Sequence, residues 1–156
     1  MPAEMMKFSG TTTTAISLVA DLITGANSLA ADATQVDNST LLYTYAKIVL
    51  TLPSGFLVSP TAGAGIELWM VEDDVDGAVD ESPIPAANDI MYRARYMHTF
   101  VVDNQTAADA YVKTGIIDLD GVKKARFFIK NDSGQTIDFV ATAITLKVTL
   151  FTHEWV

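Results

Sequence analysis

The stretch ITLKVTL, residues 144–150, decides the fold class because its apolar and polar side chains alternate strictly. Isoleucine, leucine or valine occupies every even position, and threonine or lysine every odd one. A period of two puts the apolar set on one face of a β-strand and the polar set on the other. One buried and one wet face is typical of a strand in an antiparallel sheet.

The same alternation recurs elsewhere, in AKIVLTL (46–52), IELWMVE (66–72), RARYMHTFVV (93–102) and KKARFFIK (123–130). In 93–102 the pattern is looser and puts Tyr96 in phase with Phe100. In IDFVATA (137–143) the apolar parity is odd, at Ile137, Phe139 and Ala141, and it becomes even from Ile144. Such a switch predicts a bulge or a change of sheet.

Turn sequences separate these segments: LPSG (52–55), DLDG (118–121) and NDSG (131–134) combine residues that tolerate turn conformations. Their spacing predicts about seven or eight short strands in antiparallel sheets. We therefore predict an all-β fold, an antiparallel β-sandwich of jelly-roll type over residues 41–156. Residues 1–40 are predicted to form an N-terminal arm or edge segment.

The first 40 residues are rich in Thr, Ala, Ser and Asn. Within them, AISLVADLI (15–23) suits an edge strand or one short helix. Two interpretations stand for the whole segment. It is either a strand and loop that cover the sandwich, or an arm that pairs with a neighbouring subunit.

The composition excludes several classes of protein. The chain has 156 residues, 49% of them hydrophobic and 19% charged, which indicates one globular domain. It has no cysteine, so disulfides and thiolate metal sites are ruled out. A net charge of −9 disfavours a nucleic-acid partner, and no apolar run is long enough to span a membrane.

The stretch VEDDVDGAVDE (71–81) carries six carboxylates around one glycine. An EF-hand loop aligned on Gly77 would need its closing glutamate at Pro83, so that interpretation fails. We predict a solvated loop between two strands. A looser calcium site built from Glu72, Asp74 and Asp76 is the alternative.

Catalytic chemistry finds no support in the sequence. Carboxylates crowded on a wet loop keep ordinary pKa values, which argues against a glycosidase. The only histidines are His98, in a strand, and His153, near the end of the sequence. They are too far apart in the sequence to indicate a catalytic or metal site. We predict no catalytic residue, no metal and no cofactor, and hence no enzyme.

Aromatic residues offer a possible sugar-binding face. The candidates are Trp69, Tyr92, Tyr96, Tyr111 and Trp155. Trp69 alternates outward with Glu67 if Leu68 and Met70 are core residues. We predict that Trp69 is either covered by other parts of the protein or anchors an interface.

Three segments, in this order, resemble small virion proteins of tailed bacteriophages. They are DNSTLLYTYAKIVLTL (37–52), IELWMVEDDVDG (66–77) and GIIDLDGVKKARFFIKNDSGQ (115–135), followed by a long alternating strand at the end. Taken together they are similar to jelly-roll capsid decoration (cement) proteins. The resemblance implies a structural protein on the capsid exterior, made in the host bacterial cytoplasm. Its partners would be the major capsid protein and copies of itself, as a homotrimer.

Basic residues of one predicted strand are candidates for the capsid contact. They are Lys123, Lys124, Arg126 and Lys130. Such residues suit an acidic patch on a partner protein, although a solvated strand face would have the same pattern. The alternative function is a receptor- or glycan-binding module of a head fibre or tail component.

Overall fold

Eight β-strands build the computed structural model, which describes residues 4–26, 28, 32–53, 64–72, 94–102, 111–137 and 142–155 (for residue 155, the backbone alone). The strands are β1 (Glu4–Leu18), β2 (Val36–Asp37), β3 (Tyr45–Leu52), β4 (Gly65–Glu72), β5 (Arg95–Val101), β6 (Tyr111–Asp118), β7 (Lys124–Asp132) and β8 (Ile144–Trp155).

The strands form two four-stranded sheets in which every pairing is antiparallel. Sheet 1 has the order β1-β8-β3-β6, and sheet 2 has the order β2-β7-β4-β5. Buried apolar residues from both sheets form one core cluster. The predicted all-β class and its β-sandwich-like architecture are confirmed.

The core is built from the residues that alternation places inward. In β8, Ile144 and Leu146 are fully buried, and in β7 Phe127 and Ile129 are fully buried. Burying one such side chain contributes roughly 1.5–3 kcal/mol relative to leaving it in water. The parity change near residue 144 coincides with the start of β8, whereas Ile137 bridges Leu22 outside the named strands.

β1 is the first strand of sheet 1 and pairs with β8 from Glu4↔Trp155 to Leu18↔Ile144, with two register shifts. β3 pairs with β8 only as far as Phe151. Residues 4–8 of β1 and 151–155 of β8 therefore form a two-stranded ribbon. Its pair Phe8↔Phe151 still lies beside β3, and the other pairs extend beyond β3. The described part of the predicted arm thus contributes β1 and β2 to the two sheets, and residues 15–18 are strand rather than helix.

Two buried asparagines fix the loops at the ends of the sandwich. Asn38 Nδ2 donates to the carbonyls of Tyr43 and Val122, both at 2.9 Å. Asn131 Nδ2 donates to the carbonyls of Leu22 at 2.8 Å and Gln135 at 2.6 Å. Each buried amide thereby satisfies carbonyls that would otherwise lose their hydrogen bonds to water.

Two of the predicted turns are present. Gly121 of DLDG and Gly134 of NDSG both have a φ of 79°, the left-handed conformation that glycine adopts without steric cost. The turn LPSG continues past Pro53 into residues that lie outside the described part of the chain.

Candidate interaction surfaces

The outer face of sheet 2 carries an aromatic pair that the sequence singles out. Leu68 and Met70 are fully buried, so Trp69 between them faces outward, as the alternation predicts. Its Nε1 donates to Glu67 Oε2 at 3.0 Å. The Tyr96 ring meets it edge-on, with 5.6 Å between ring centroids. Trp69 is half-buried and Tyr96 is 50% exposed, so the pair forms a shallow aromatic surface.

A β-bulge places Tyr96 on this face. The β4–β5 register shifts between Leu68↔His98 and Trp69↔Tyr96, which leaves Met97 as an extra residue packed against the core. The bulge reverses the orientation of Tyr96 relative to Phe100, which is buried. The predicted common phase of Tyr96 and Phe100 was therefore wrong, because alternation alone does not locate an inserted residue.

The same face contains a fully buried aromatic residue. Phe128 is paired with Trp69 in the β4–β7 register and has no exposed surface. Alternation puts it opposite the core residues Phe127 and Ile129. Val71, also on the outward parity of β4, is only 3% exposed. The outer face of sheet 2 is therefore partly covered and apolar beneath.

Two of the four predicted basic residues on and beside β7 lie close to acids of the same molecule. Lys130 Nζ is 3.5 Å from Glu67 Oε2. The pKa of Asp37 is lowered mainly by the hydrogen bond that its carboxylate accepts from Ser39. The nearby Lys124 lowers it further. Lys123 is exposed and Arg126 is half-buried. Part of the positive charge of this strand is thus neutralised internally.

The two histidines lie in unrelated environments. His98 packs against Phe100, with 4.8 Å between ring centroids, and burial lowers its pKa below 6.5. His153 Nδ1 is 2.6 Å from Glu4 Oε1 on the ribbon. Among the described residues, no three His, Asp or Glu side chains gather as a metal site would require. His98 therefore acts as a packed ring at the edge of the core.

The ribbon carries an aromatic cluster that sequence reasoning missed. Phe151 is 2% exposed although it shares the outward parity of Thr149. Phe8 and Tyr45 cover it, at 5.4 and 5.6 Å between ring centroids. The adjacent Met5 and Met6 are 55% and 50% exposed. The cluster is held by neighbours on three strands, so only their pairing, which the sequence does not give, could have identified it.

The remaining outer face of sheet 1, here called the threonine face, is mostly polar. It consists of the outward residues Thr12, Thr14, Ser17, Lys47, Val49, Thr51, Val112, Thr114, Ile116, Thr145, Lys147 and Thr149. Val112 and Ile116 on the edge strand β6 are 52% and 61% exposed. The face contains two lysines, and the exposed Asp118 lies beside it at the outward parity of β6. The face suits a broad contact with another protein surface.

A groove of about 360 Å³ opens between β1 and the 35–43 loop. Its size is within the range of small-molecule sites. Its polar groups are largely engaged, however, because Asp37 Oδ1 accepts from Ser39 N and Asn38 bonds both its amide atoms to the loop backbone. We interpret the groove as part of the loop's own architecture.

Several residues that the sequence singled out as possible site residues lie away from these surfaces or outside the described part of the chain. Of the acidic stretch, Glu72 ends β4 exposed, whereas Asp74 and Asp76 lie outside the described residues, as do Tyr92 and the side chain of Trp155. Tyr111 is buried in β6, and Lys113 Nζ lies 5.0 Å from its ring centroid. The structure therefore brings together Trp69 and Tyr96, two of the five aromatic candidates.

Within the described ranges, no helix has the length and hydropathy to span a membrane. No protein-family model matches the chain, and no curated protein matches it in sequence.

Proposed function

We propose that this chain is a structural virion protein that decorates and stabilises a tailed-phage capsid by bridging major capsid protein subunits. It would assemble on the capsid exterior as a homotrimer after synthesis in the host cytoplasm. In this role the protein supplies contacts and no chemistry.

The order of the strands is the observation that carries the proposal. Sheet 1 runs β1-β8-β3-β6 and sheet 2 runs β2-β7-β4-β5. Among the eight described strands, only β4 and β5 follow one another within one sheet, and all other successive strands change sheet. Eight strands in two sheets with interleaved order are typical of a jelly roll, an architecture of viral capsid and lectin domains. The order supports the jelly-roll assignment that the sequence resemblance implies.

The surfaces suit a bridging role. The threonine face and the exposed methionines of the ribbon, all on sheet 1, offer surface for contacts with other proteins. Each contact alone would be modest, but many copies bound to one lattice act together. β1 is an edge strand of sheet 1, and residues 4–14 of its outer edge have no described strand neighbour, whereas Ile16 is bridged to Ala33. This supports the idea of an N-terminal arm, because an edge strand can extend the sheet of a neighbour.

Co-sedimentation with empty shells of the major capsid protein from the same phage tests the proposal. We expect saturable binding at a fixed ratio to capsid subunits, and a higher temperature of shell disruption when the protein is bound. Shells of an unrelated phage are the matched control. Failure to sediment with the cognate shells at any salt concentration would contradict the proposal.

A glycan-binding module of a head fibre or tail component is a second candidate. The Trp69–Tyr96 pair favours it, since an exposed aromatic surface beside Glu67 has the elements of a sugar-stacking site. Under this hypothesis Trp69→Ala abolishes binding on a glycan array, while Tyr45→Ala on sheet 1 leaves it unchanged. An array without signal for the unmodified protein would reject this candidate.

A further inference from the structure

The ribbon formed by residues 4–8 and 151–155 has only two described strands over most of its length. β3 pairs with β8 only as far as Phe151, so the ribbon pairs before Phe8 have no third described strand beside them. A two-stranded antiparallel unit is marginally stable in water, whereas three or more strands with an apolar face form a stable sheet. The ribbon would therefore gain stability from any strand added to it.

The outer edge of β1 in the ribbon combines unpaired backbone with large apolar side chains. Residues 4–14 have no described strand neighbour on this side. Met5, Met6 and Phe8 are 55%, 50% and 45% exposed. Met6 and Phe8 share one face of the ribbon and Met5 lies on the other, because successive side chains of a strand alternate. An edge of this kind is a template for pairing with another chain, and an added strand would cover apolar surface on both faces.

The charged side chains of residues 4–8 are engaged by β8. Lys7 Nζ is 2.9 Å from Glu154 Oε1, and Glu4 Oε1 is 2.6 Å from His153 Nδ1. Lysine on an edge strand commonly deters a second strand, but this ammonium group is held by the ribbon's own acid. Another strand can therefore approach the outer edge of β1 without separating either charged residue from its partner.

A second copy of the chain suits this edge because its ribbon has the same unpaired edge. One antiparallel contact gives both copies a neighbour and makes a four-stranded unit in the order β8-β1-β1-β8. A two-fold axis across such a contact sets residues of the same face opposite each other. With the axis at Met6, that residue faces Met6 of the second copy. Met5 then faces the aliphatic part of Lys7, and Glu4 faces Phe8. An axis at Lys7 or Glu4 would oppose like charges, which is destabilising.

We infer that two copies of the chain pair through residues 4–8 of β1, antiparallel and with Met6 at the two-fold axis. The two sandwiches lie at opposite ends of the joined ribbons, because the strands enter from opposite directions and the ribbon extends beyond β3. The inference rests on the self-association included in the proposed function and names the strand that carries it. A two-fold contact is separate from the three-fold contacts of a trimer, so it joins one trimer to the next.

Disulfide cross-linking tests the position of the axis, since the chain has no cysteine of its own. Met6→Cys should form a disulfide-linked dimer under mild oxidation, because directly opposed Cβ atoms are about 4.5–5.5 Å apart. Ile116→Cys is the matched control, an exposed apolar position on the other edge strand of sheet 1, and should remain a single chain. The absence of a dimer from Met6→Cys, or equal yields from the two variants, would overturn the inference.

Light scattering coupled to size exclusion gives an independent measurement. The unmodified protein is expected to have the mass of an even number of chains. Met6→Lys should halve that mass, because two ammonium groups would meet at the axis, whereas Ile116→Lys should leave it unchanged. Circular dichroism checks that both variants are folded. A mass of an odd number of chains, or one that Met6→Lys does not change, would contradict the inference. Capsid binding is decided separately, since Met6→Lys should still co-sediment with shells if only the proposed function is correct.

Discussion

The outer faces of the two sheets differ in how they use their polar and apolar groups. On sheet 2, Glu67 accepts from Trp69 and lies near Lys130, and Phe128 is fully buried beneath. On sheet 1, Lys47 and Lys147 are exposed, and the apolar residue Ile116 is 61% exposed. Glu67 on the first face has partners within the molecule, whereas no ion pair is described for Lys47 or Lys147 on the second.

This difference shows that counting bases along a strand does not locate a binding surface. β7 and the residue before it hold the largest group of bases in the sequence, yet Lys130 has a nearby acid in its own sheet. Sheet 1 has only two lysines on its outer face, and, like Lys123, neither has a described ion-pair partner. A base that pairs with an acid on a neighbouring strand is less free to bind a partner protein.

The largest effect is expected from truncating the covered side chain of sheet 2. Phe128→Ala should lower the free energy of unfolding by roughly 3–5 kcal/mol, because a fully buried aromatic residue is replaced by a cavity. Ile116→Ala on sheet 1 should change it by less than about 0.5 kcal/mol, as is usual for surface positions. Urea unfolding measures both. Equal losses of unfolding free energy for the two variants would contradict the difference in burial between the two outer faces.

Close packing between β4 and β5 of sheet 2 gives the next effect. A Cβ at Gly65 would lie 2.5 Å from Thr99 Cγ2 and 2.7 Å from the Phe100 carbonyl oxygen. Gly65→Ala should cost about 2 kcal/mol through overpacking. In sheet 1, a Cβ at Gly115 would meet the His98 ring at 2.9 Å, and that side chain can move aside. Chemical denaturation of both variants should therefore show the smaller loss for Gly115→Ala.

A weaker effect concerns His98, where β5 of sheet 2 approaches β6 of sheet 1. Burial lowers its pKa below 6.5, so the unfolded chain takes up the proton first as the pH falls. Stability should be complete above about pH 6.5 and decline below it. His98→Gln should flatten this decline between pH 7.5 and pH 5.5 in unfolding experiments. Parallel profiles for the two proteins would contradict the assignment.

The smallest effect is expected at the ion pair of sheet 2. Lys130 Nζ and Glu67 Oε2 are 3.5 Å apart and partly exposed, so Glu67→Gln should cost only about 0.5 kcal/mol. Thermal unfolding measures the loss. A loss well above about 1 kcal/mol would contradict the expectation for a partly exposed ion pair.

Strands with regular alternation were predictable because a period of two survives any tertiary arrangement. ITLKVTL lies within β8, and its apolar residues are buried. β1 was harder, because GTTTT has no apolar phase and is strand only through its pairing with β8. Tyr96 was misplaced because a bulge inserts one residue. Local pattern thus predicts strands, whereas pairing decides edges and bulges.

The same distinction between local sequence pattern and strand pairing applies to the surface features. The outward direction of Trp69 could be predicted, since both its neighbours are apolar and buried. The aromatic cluster at Phe151 could not be predicted, nor could the lack of a described ion-pair partner at Lys47. Each depends on which strands lie side by side, and that order links residues more than 100 positions apart, as in the pairing of Phe8 with Phe151.

The position of β8 between β1 and β3 also has a consequence for biosynthesis. β8 comes after all other strands in the sequence, so β1 has no neighbour in sheet 1 until the ribosome has delivered β8. Until then residues 4–14 of β1 would have no described strand neighbour on either side, and Ile16 would have only its bridge to Ala33. Loop closure over such a separation is slow, so β1 should dock late in folding and be the segment most accessible to chaperones.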